Sequence, residues 1–159
     1  MAANIKQIDR GRRGYSLIEL LMVLAIMALF GAIAAPRFAN SAALYRGQAA
    51  AQRIAADIAL AQRLAKTTSA GQTINYSVAA NSYALAGVVG LTGAASGYNL
   101  NLASDPYQAT LISVTIGGGT SITFDRYGQP SAGGSIVVQS GNSQRTVTID
   151  PTSGATTIQ

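Results

Sequence analysis

The chain has 159 residues, of which 48% are apolar and only 11% charged, with a net charge of +5. It contains no cysteine and no histidine. This excludes disulfides, thiol nucleophiles and iron–sulfur ligation, and removes the commonest general base and metal ligand.

Residues 1–14 form a short polar leader in which Lys6, Arg10, Arg12 and Arg13 are opposed only by Asp9. From Tyr15 onward there are seven basic and five acidic residues. The basic character is therefore a topology signal more than a nucleic-acid footprint. Leu20 to Ala35 is a run of sixteen residues without a charge. With Leu17 and Ile18 it reaches the ~17–25 residues that a spanning helix needs. The charges before it place the leader in the cytoplasm and everything after Pro36 outside. One carboxylate, Glu19, stands at the edge of the run, where hydrocarbon would cost it at least a few kcal/mol.

A secretory signal peptide competes with this anchor reading, because Ala32–Ala34 has the small-x-small form of a signal-peptidase site. Against it stand Glu19 at the start of the run, the length of the run, and the helical pattern that resumes directly after Pro36. Residues 37–66 contain no proline and a single glycine, Gly47, and are rich in good helix formers. Ile54, Ile58, Ala61 and Ala65 fall on one helical stripe. Arg53 and Asp57, four apart and off that stripe, read as a solvent-facing pair. Arg37, Arg46, Arg53, Arg63 and Lys66 read as a solvated or subunit-facing stripe. The pattern predicts one helix from Tyr15 to Lys66, apolar all round in 15–36, amphipathic in 37–66, and kinked or loosened near Gly31 and Pro36.

After Thr67 the composition changes. Residues 67–159 hold five charged side chains and thirteen of the seventeen glycines. "TINYSVAANSYALAG" alternates and turns at 80–82, which predicts a hairpin. Residues 87–108, rich in Gly, Ser and Asn, predict a long loop. Strand-like runs follow at 109–116, 121–125, 134–140, 144–149 and 155–159, separated by turn clusters. The fold class is α+β: a long N-terminal helix packed on an antiparallel, all-β C-terminal lobe of six or seven strands.

Few residues invite chemistry. Asp105, Asp125 and Asp150 each adjoin turn residues, where aspartate bonds its own backbone. A calcium site built from them is the alternative, although EF-hand spacing is absent. Gly117–Gly119 follows a strand, but no helix pattern or lysine comes after it, so a phosphate loop does not fit. The scattered tyrosines suit core and cross-strand packing better than a stacking platform for single-stranded nucleic acid.

"RGRRG" followed by "YSLIELLMVLAIMALFGAIAAP" resembles the class III signal of type IV pilins and type II secretion pseudopilins. The resemblance implies that a prepilin peptidase cuts after Gly14 and that Tyr15, where the family usually has Phe, is N-methylated. It makes Glu19 the carboxylate that pairs, in assembled filaments, with the N-terminal amine of a neighbouring subunit. Pro36 matches the proline just past the apolar segment. "RIAADIALAQRLA", "ITFDRYGQPSAGGSIVV" and "RTVTIDPTSGATTI" are similar to the H-type minor pseudopilins, the GspH/FimT group.

What the resemblance implies is a structural subunit and not an enzyme, pilin-like in fold, with no cofactor and no metal. Its parts would be a cleaved leader (1–14), a transmembrane and polymerisation helix (15–36), the amphipathic half of the same helix (37–66) and a β-rich head (67–159). Its partners would be other pilin or pseudopilin subunits, the prepilin peptidase and the inner-membrane assembly platform. It would sit in the bacterial inner membrane as a single pass, the head periplasmic, before joining a secretion pseudopilus or a pilus tip. The alternatives are a DNA-binding minor pilin for DNA uptake and a major pilin. The first needs a Lys/Arg cluster, and the β lobe has only Arg126 and Arg145. The missing C-terminal disulfide pair weighs against the second.

Overall fold

The structure, a computed structural model, describes residues 14–86 and 97–159. Most of the leader and the first part of the expected long loop lie outside the described residues. The described chain divides into two compact units, one ending at Phe38 and the other running from Ala39 to Gln159.

A single helix, α1 (Leu17–Thr68), accounts for all the helical pattern. Ser16 precedes it, and its carbonyl accepts the first helical hydrogen bond from the Leu20 amide at 3.1 Å. Serine suits that position because its short polar side chain favours the non-helical entry conformation. At the other end, the Thr67 and Thr68 hydroxyls bond back to the Leu64 carbonyl, and Ser69 turns the chain with φ of 52°.

The second unit is built around the far half of α1. Ala50, Ala51, Ile54, Ile58, Ala61 and Ala65 have no exposed surface. The four alanines let the sheets approach the helix axis closely, and the two isoleucines fill the space between. The strands are β1 (Gln72–Ser77), β2 (Ser82–Leu85), β3 (Tyr98–Asn101), β4 (Thr110–Ile116), β5 (Ser121–Phe124), β6 (Gly134–Ser140), β7 (Ser143–Ile149) and β8 (Thr156–Ile158). They form two antiparallel four-stranded sheets, one in the order β3-β2-β1-β5 and the other β4-β6-β7-β8. The chain thus crosses from the first sheet to the second at β4, returns for β5, and ends in the second.

Alternation does the sorting. Ile74, Tyr76, Tyr83, Leu85, Ile122 and Phe124 point inward from the first sheet, and Leu111, Val114, Ile116, Ile136, Val138, Val147 and Ile149 from the second. A bulge between Leu111 and Ser113 breaks the β4 alternation, leaving Ile112 44% exposed. Gly134 is required where β6 crosses β4, because a methyl group there would collide with the Thr115 carbonyl oxygen. Outward positions carry Ser, Thr, Asn and Gln: Thr115, Ser135, Thr148 and Thr157 stand in one row across four strands.

Four expectations need correction. The described head has eight strands, not six or seven. Residues 98–101 are not loop but the edge strand β3, paired with β2 from Tyr98↔Leu85 to Asn101↔Ser82. A neighbouring strand supplied the pairing that the polar local sequence does not advertise. The Arg53–Asp57 pair does not face solvent: Asp57 is only 3% exposed. The hairpin turn also starts earlier, the strands being joined by residues 78–81 with Asn81 at φ of 49°.

Candidate functional site

Gly14, Tyr15 and Ser16 precede the first helical turn in non-helical conformation. Tyr15 is 85% exposed, and among the described residues nothing lies within 4 Å of the position a Gly14 side chain would take. The Gly14–Tyr15 peptide bond therefore stands where a peptidase could reach it. Glu19 lies in the first turn of α1, where the unpaired amides of a helix start favour a negative charge. With Tyr15, Leu20 and Val23 it lines a hollow of about 310 Å³. Of the expected site residues, the structure thus brings Tyr15 and Glu19 together. Pro36 lies farther along the same helix.

From Leu17 to Ile33 every large apolar side chain is exposed, at 47% to 81%. Exposed singly, such residues are ordinary; as a continuous all-round surface they mark a segment that buries itself in lipid or against partners. By length and composition α1 is long and apolar enough to cross a membrane.

The second constellation was not anticipated. Asp57 Oδ2 accepts hydrogen bonds from the hydroxyls of Tyr83 at 2.5 Å and Tyr98 at 2.6 Å, and from Arg53 Nε at 3.2 Å. Arg53 Nη2 also donates to the Tyr98 hydroxyl. One carboxylate on the helix thereby gathers β2, β3 and its own i−4 neighbour. A carboxylate can be buried when its charge is met in this way. Burial, and then the nearby Asp57 charge, push Tyr76 and Tyr83 above the ordinary tyrosine range, and burial and the hydrogen bond to Asp57 bring Tyr98 to about 12. The Tyr76 hydroxyl is buried without a partner, and its ring lies 5.4 Å from that of Tyr83. This arrangement clamps; nothing in it resembles a nucleophile with an adjacent base. The sequence held one hint: Asp57 is roughly 70° around the helix from the centre of the Ile54/Ile58/Ala61/Ala65 stripe, within the buried arc's edge.

The three turn aspartates bond their own turns. Asp125 Oδ1 accepts from the amides of Tyr127 and Gln129 at 2.9 and 2.8 Å. Asp150 Oδ1 accepts from the Thr152 and Ser153 amides and the Ser153 hydroxyl, which lowers its pKa. Asp105 accepts from Gln108. Among the described residues no group of three or more acidic side chains converges as metal ligands would.

A head of two antiparallel sheets on the far half of a helix whose near half is wholly exposed has recognisable counterparts. Residues 9–35 match the prokaryotic N-terminal methylation motif. Residues 50–153, well over half the chain, match the family described as type II transport protein GspH. The chain belongs to the GspH family. The fold agrees with that of the type IV minor pilin FimU of Pseudomonas aeruginosa (strain PAO1), known in two crystal forms. One matches with a TM-score of 0.51 at 16% identity, covering 71% of this chain and 87% of that one. The other gives 0.49 at 15% identity, covering 70% and 91%. No curated protein matches the chain. This member of the GspH family is thus a minor pilin or pseudopilin with a methylation motif and a pilin-like fold. Such families are structural, and their motif is that of a membrane-anchored subunit that assembles with others.

Proposed function

We propose that this chain is a structural subunit cut by prepilin peptidase after Gly14, N-methylated on Tyr15, and assembled through residues 15–36 into a type II secretion pseudopilus or a type IV pilus tip. Before assembly it spans the inner membrane once, leader in the cytoplasm and head in the periplasm. Glu19 pairs in the filament with a neighbour's N-terminal amine and so sets register, since a buried charge is tolerated when it meets its opposite. Pro36 is where the helix yields, because proline removes one helical hydrogen bond and crowds the preceding turn.

One observation carries this reading. A Gly14–Tyr15 bond in exposed, non-helical residues leads directly into a helix whose large apolar side chains are all exposed from Leu17 to Ile33 and whose first turn holds a single carboxylate. Lipid before assembly and neighbouring helices after it satisfy the apolar surface, and the amine created by the cut satisfies the carboxylate. Intact-mass measurement of membrane-extracted protein is expected to show loss of residues 1–14 and gain of one methyl group. A mature terminus at Ala35 or Pro36 would establish a cleaved signal peptide instead.

A further inference from the structure

We infer that the turn Asp125–Pro130 is a docking knob for an acidic surface on a neighbouring protein subunit, with Tyr127 as the anchor and Arg126 and Lys66 as the charges that read the partner. The identity of the partner as a filament subunit rests on the function proposed above.

Tyr127 is 68% exposed, yet the turn beneath it is braced on every side. The Asp125 carboxylate holds the amides of Tyr127 and Gln129. The Gly128 amide bonds the Asp125 carbonyl at 2.8 Å, and the Asp125 amide bonds the Gln129 carbonyl at 3.0 Å. From the helix, Gln62 Nε2 donates to the carbonyls of Gly128 at 2.8 Å and Ser153 at 2.7 Å, tying this turn to its neighbour. The Lys66 stem lies against Gly128, whose φ of 78° and lack of a side chain make that contact possible. Tyrosine and arginine dominate the energetics of protein interfaces. An anchor presented in a fixed geometry loses little freedom on binding.

The charges divide by direction. The Asp125 and Asp150 carboxylates are turned onto amides of their own turns. Arg126 stacks with its guanidinium 5.0 Å from the Tyr127 ring centroid. Arg63 and Lys66, three apart and so on one side of the helix, are exposed. None of these three cations is in an ion pair among the described residues. The outward chemistry is cationic and aromatic, so its complement is rich in carboxylates. Nucleic acid fits less well, since two carboxylates share these turns and one exposed ring offers a single stack.

The test uses the full chain in its host. Tyr127→Ala, and the double reversal Lys66→Glu with Arg126→Glu, should be processed and inserted as wild type, and melt as wild type. Their yield in purified filaments should fall about tenfold, the consequence of losing an interface anchor. Asn75→Glu, a new charge on the outer face of the first sheet, should not fall. A photo-crosslinker at position 127 should attach to an acidic peptide of another pilin-like subunit, and the double reversal should abolish the adduct. Undiminished yield of both variants, with wild type present in filaments, overturns this inference alone. Absence of wild type from filaments overturns the assembly reading and this one with it. Salt-sensitive binding of detergent-solubilised chain to an oligonucleotide, abolished by the double reversal, replaces the protein partner with nucleic acid.

Discussion

The two halves of α1 are the same kind of helix in opposite circumstances. Between Leu17 and Ile33 every large apolar side chain is exposed, whereas Ala50, Ala51, Ile54, Ile58, Ala61 and Ala65 have no exposed surface at all. The near half is apolar on all sides, which no single head domain could cover; the far half is apolar on one face, which a pair of sheets covers completely. Where the head closes over the helix, the chain can also bury a charge. Asp57 has two tyrosine hydroxyls and an arginine to meet it. Glu19, in the near half, has no such set among the described residues, and in the proposed assembly its counter-charge comes from another molecule. The comparison predicts that far-half substitutions alter melting and leave insertion alone, and that near-half substitutions leave melting alone and alter assembly.

The largest expected effect is at Asp57. Asp57→Ala leaves the Arg53 guanidinium and two tyrosine hydroxyls without their acceptor, and removing one partner of a buried pair typically costs about 3–5 kcal/mol. Ile58→Ala, on the same face, should cost about 2–5 kcal/mol by lost burial and the cavity left behind. Denaturant unfolding of the detergent-solubilised chain measures both. Membrane insertion and cleavage after Gly14 should match wild type. A melting curve unchanged in Asp57→Ala would show that the cluster is not a clamp.

The helix was legible in the sequence almost to its ends because its two halves carry the two clearest helical signals, an uncharged run and a spaced stripe. The strands were legible where β-branched residues alternate between turn clusters, as in "SITF" and "GSIVVQS". β3 was not, because "YNLN" has no β-branched residue and sits in a polar stretch; only its pairing with β2 makes it a strand. Asp57 was not, because an i, i+4 spacing says that Arg53 is near but nothing about what lies above. Tyr83 and Tyr98 are 26 and 41 residues away, and their arrival depends on sheet register. Glu19 was visible because it interrupts a pattern, and Asp57 was hidden because it does not.

A smaller effect separates the halves by pH. Tyr98 is raised to about 12, and Tyr76 and Tyr83 are raised as well, burial being the first cause in each. A raised pKa means that its stabilisation is fully present below the unfolded value, about 10, and is lost as pH climbs toward the folded one. From neutral pH the head should therefore hold constant stability to about pH 10 and then lose about 1.4 kcal/mol per pH unit for each tyrosine that ionises only on unfolding. Tyr98→Phe lowers the starting stability and flattens the alkaline slope by one tyrosine. An identical slope in Tyr98→Phe would remove Tyr98 from the account.

The smallest effect on melting belongs to Glu19, where Glu19→Ala should shift head stability by no more than about 0.5 kcal/mol, as for exposed sites generally. Its consequence lies elsewhere. Losing the charge makes the segment more apolar, which eases membrane integration, so insertion and cleavage after Gly14 should persist. In a filament core the same change strands a neighbour's terminal ammonium in low dielectric, at the cost of a broken buried pair. Glu19→Ala should accordingly be depleted from filaments relative to membrane. Glu19→Asp should fall between, since its charge remains but reaches one methylene less far. Tyr15 and Glu19 line one hollow in the isolated chain. A subunit at the very tip lacks that neighbour, and there the two halves would differ least. Equal filament-to-membrane ratios for wild type and Glu19→Ala in a shaft subunit would reduce Glu19 to an interfacial charge and leave the apolar surface alone to drive assembly.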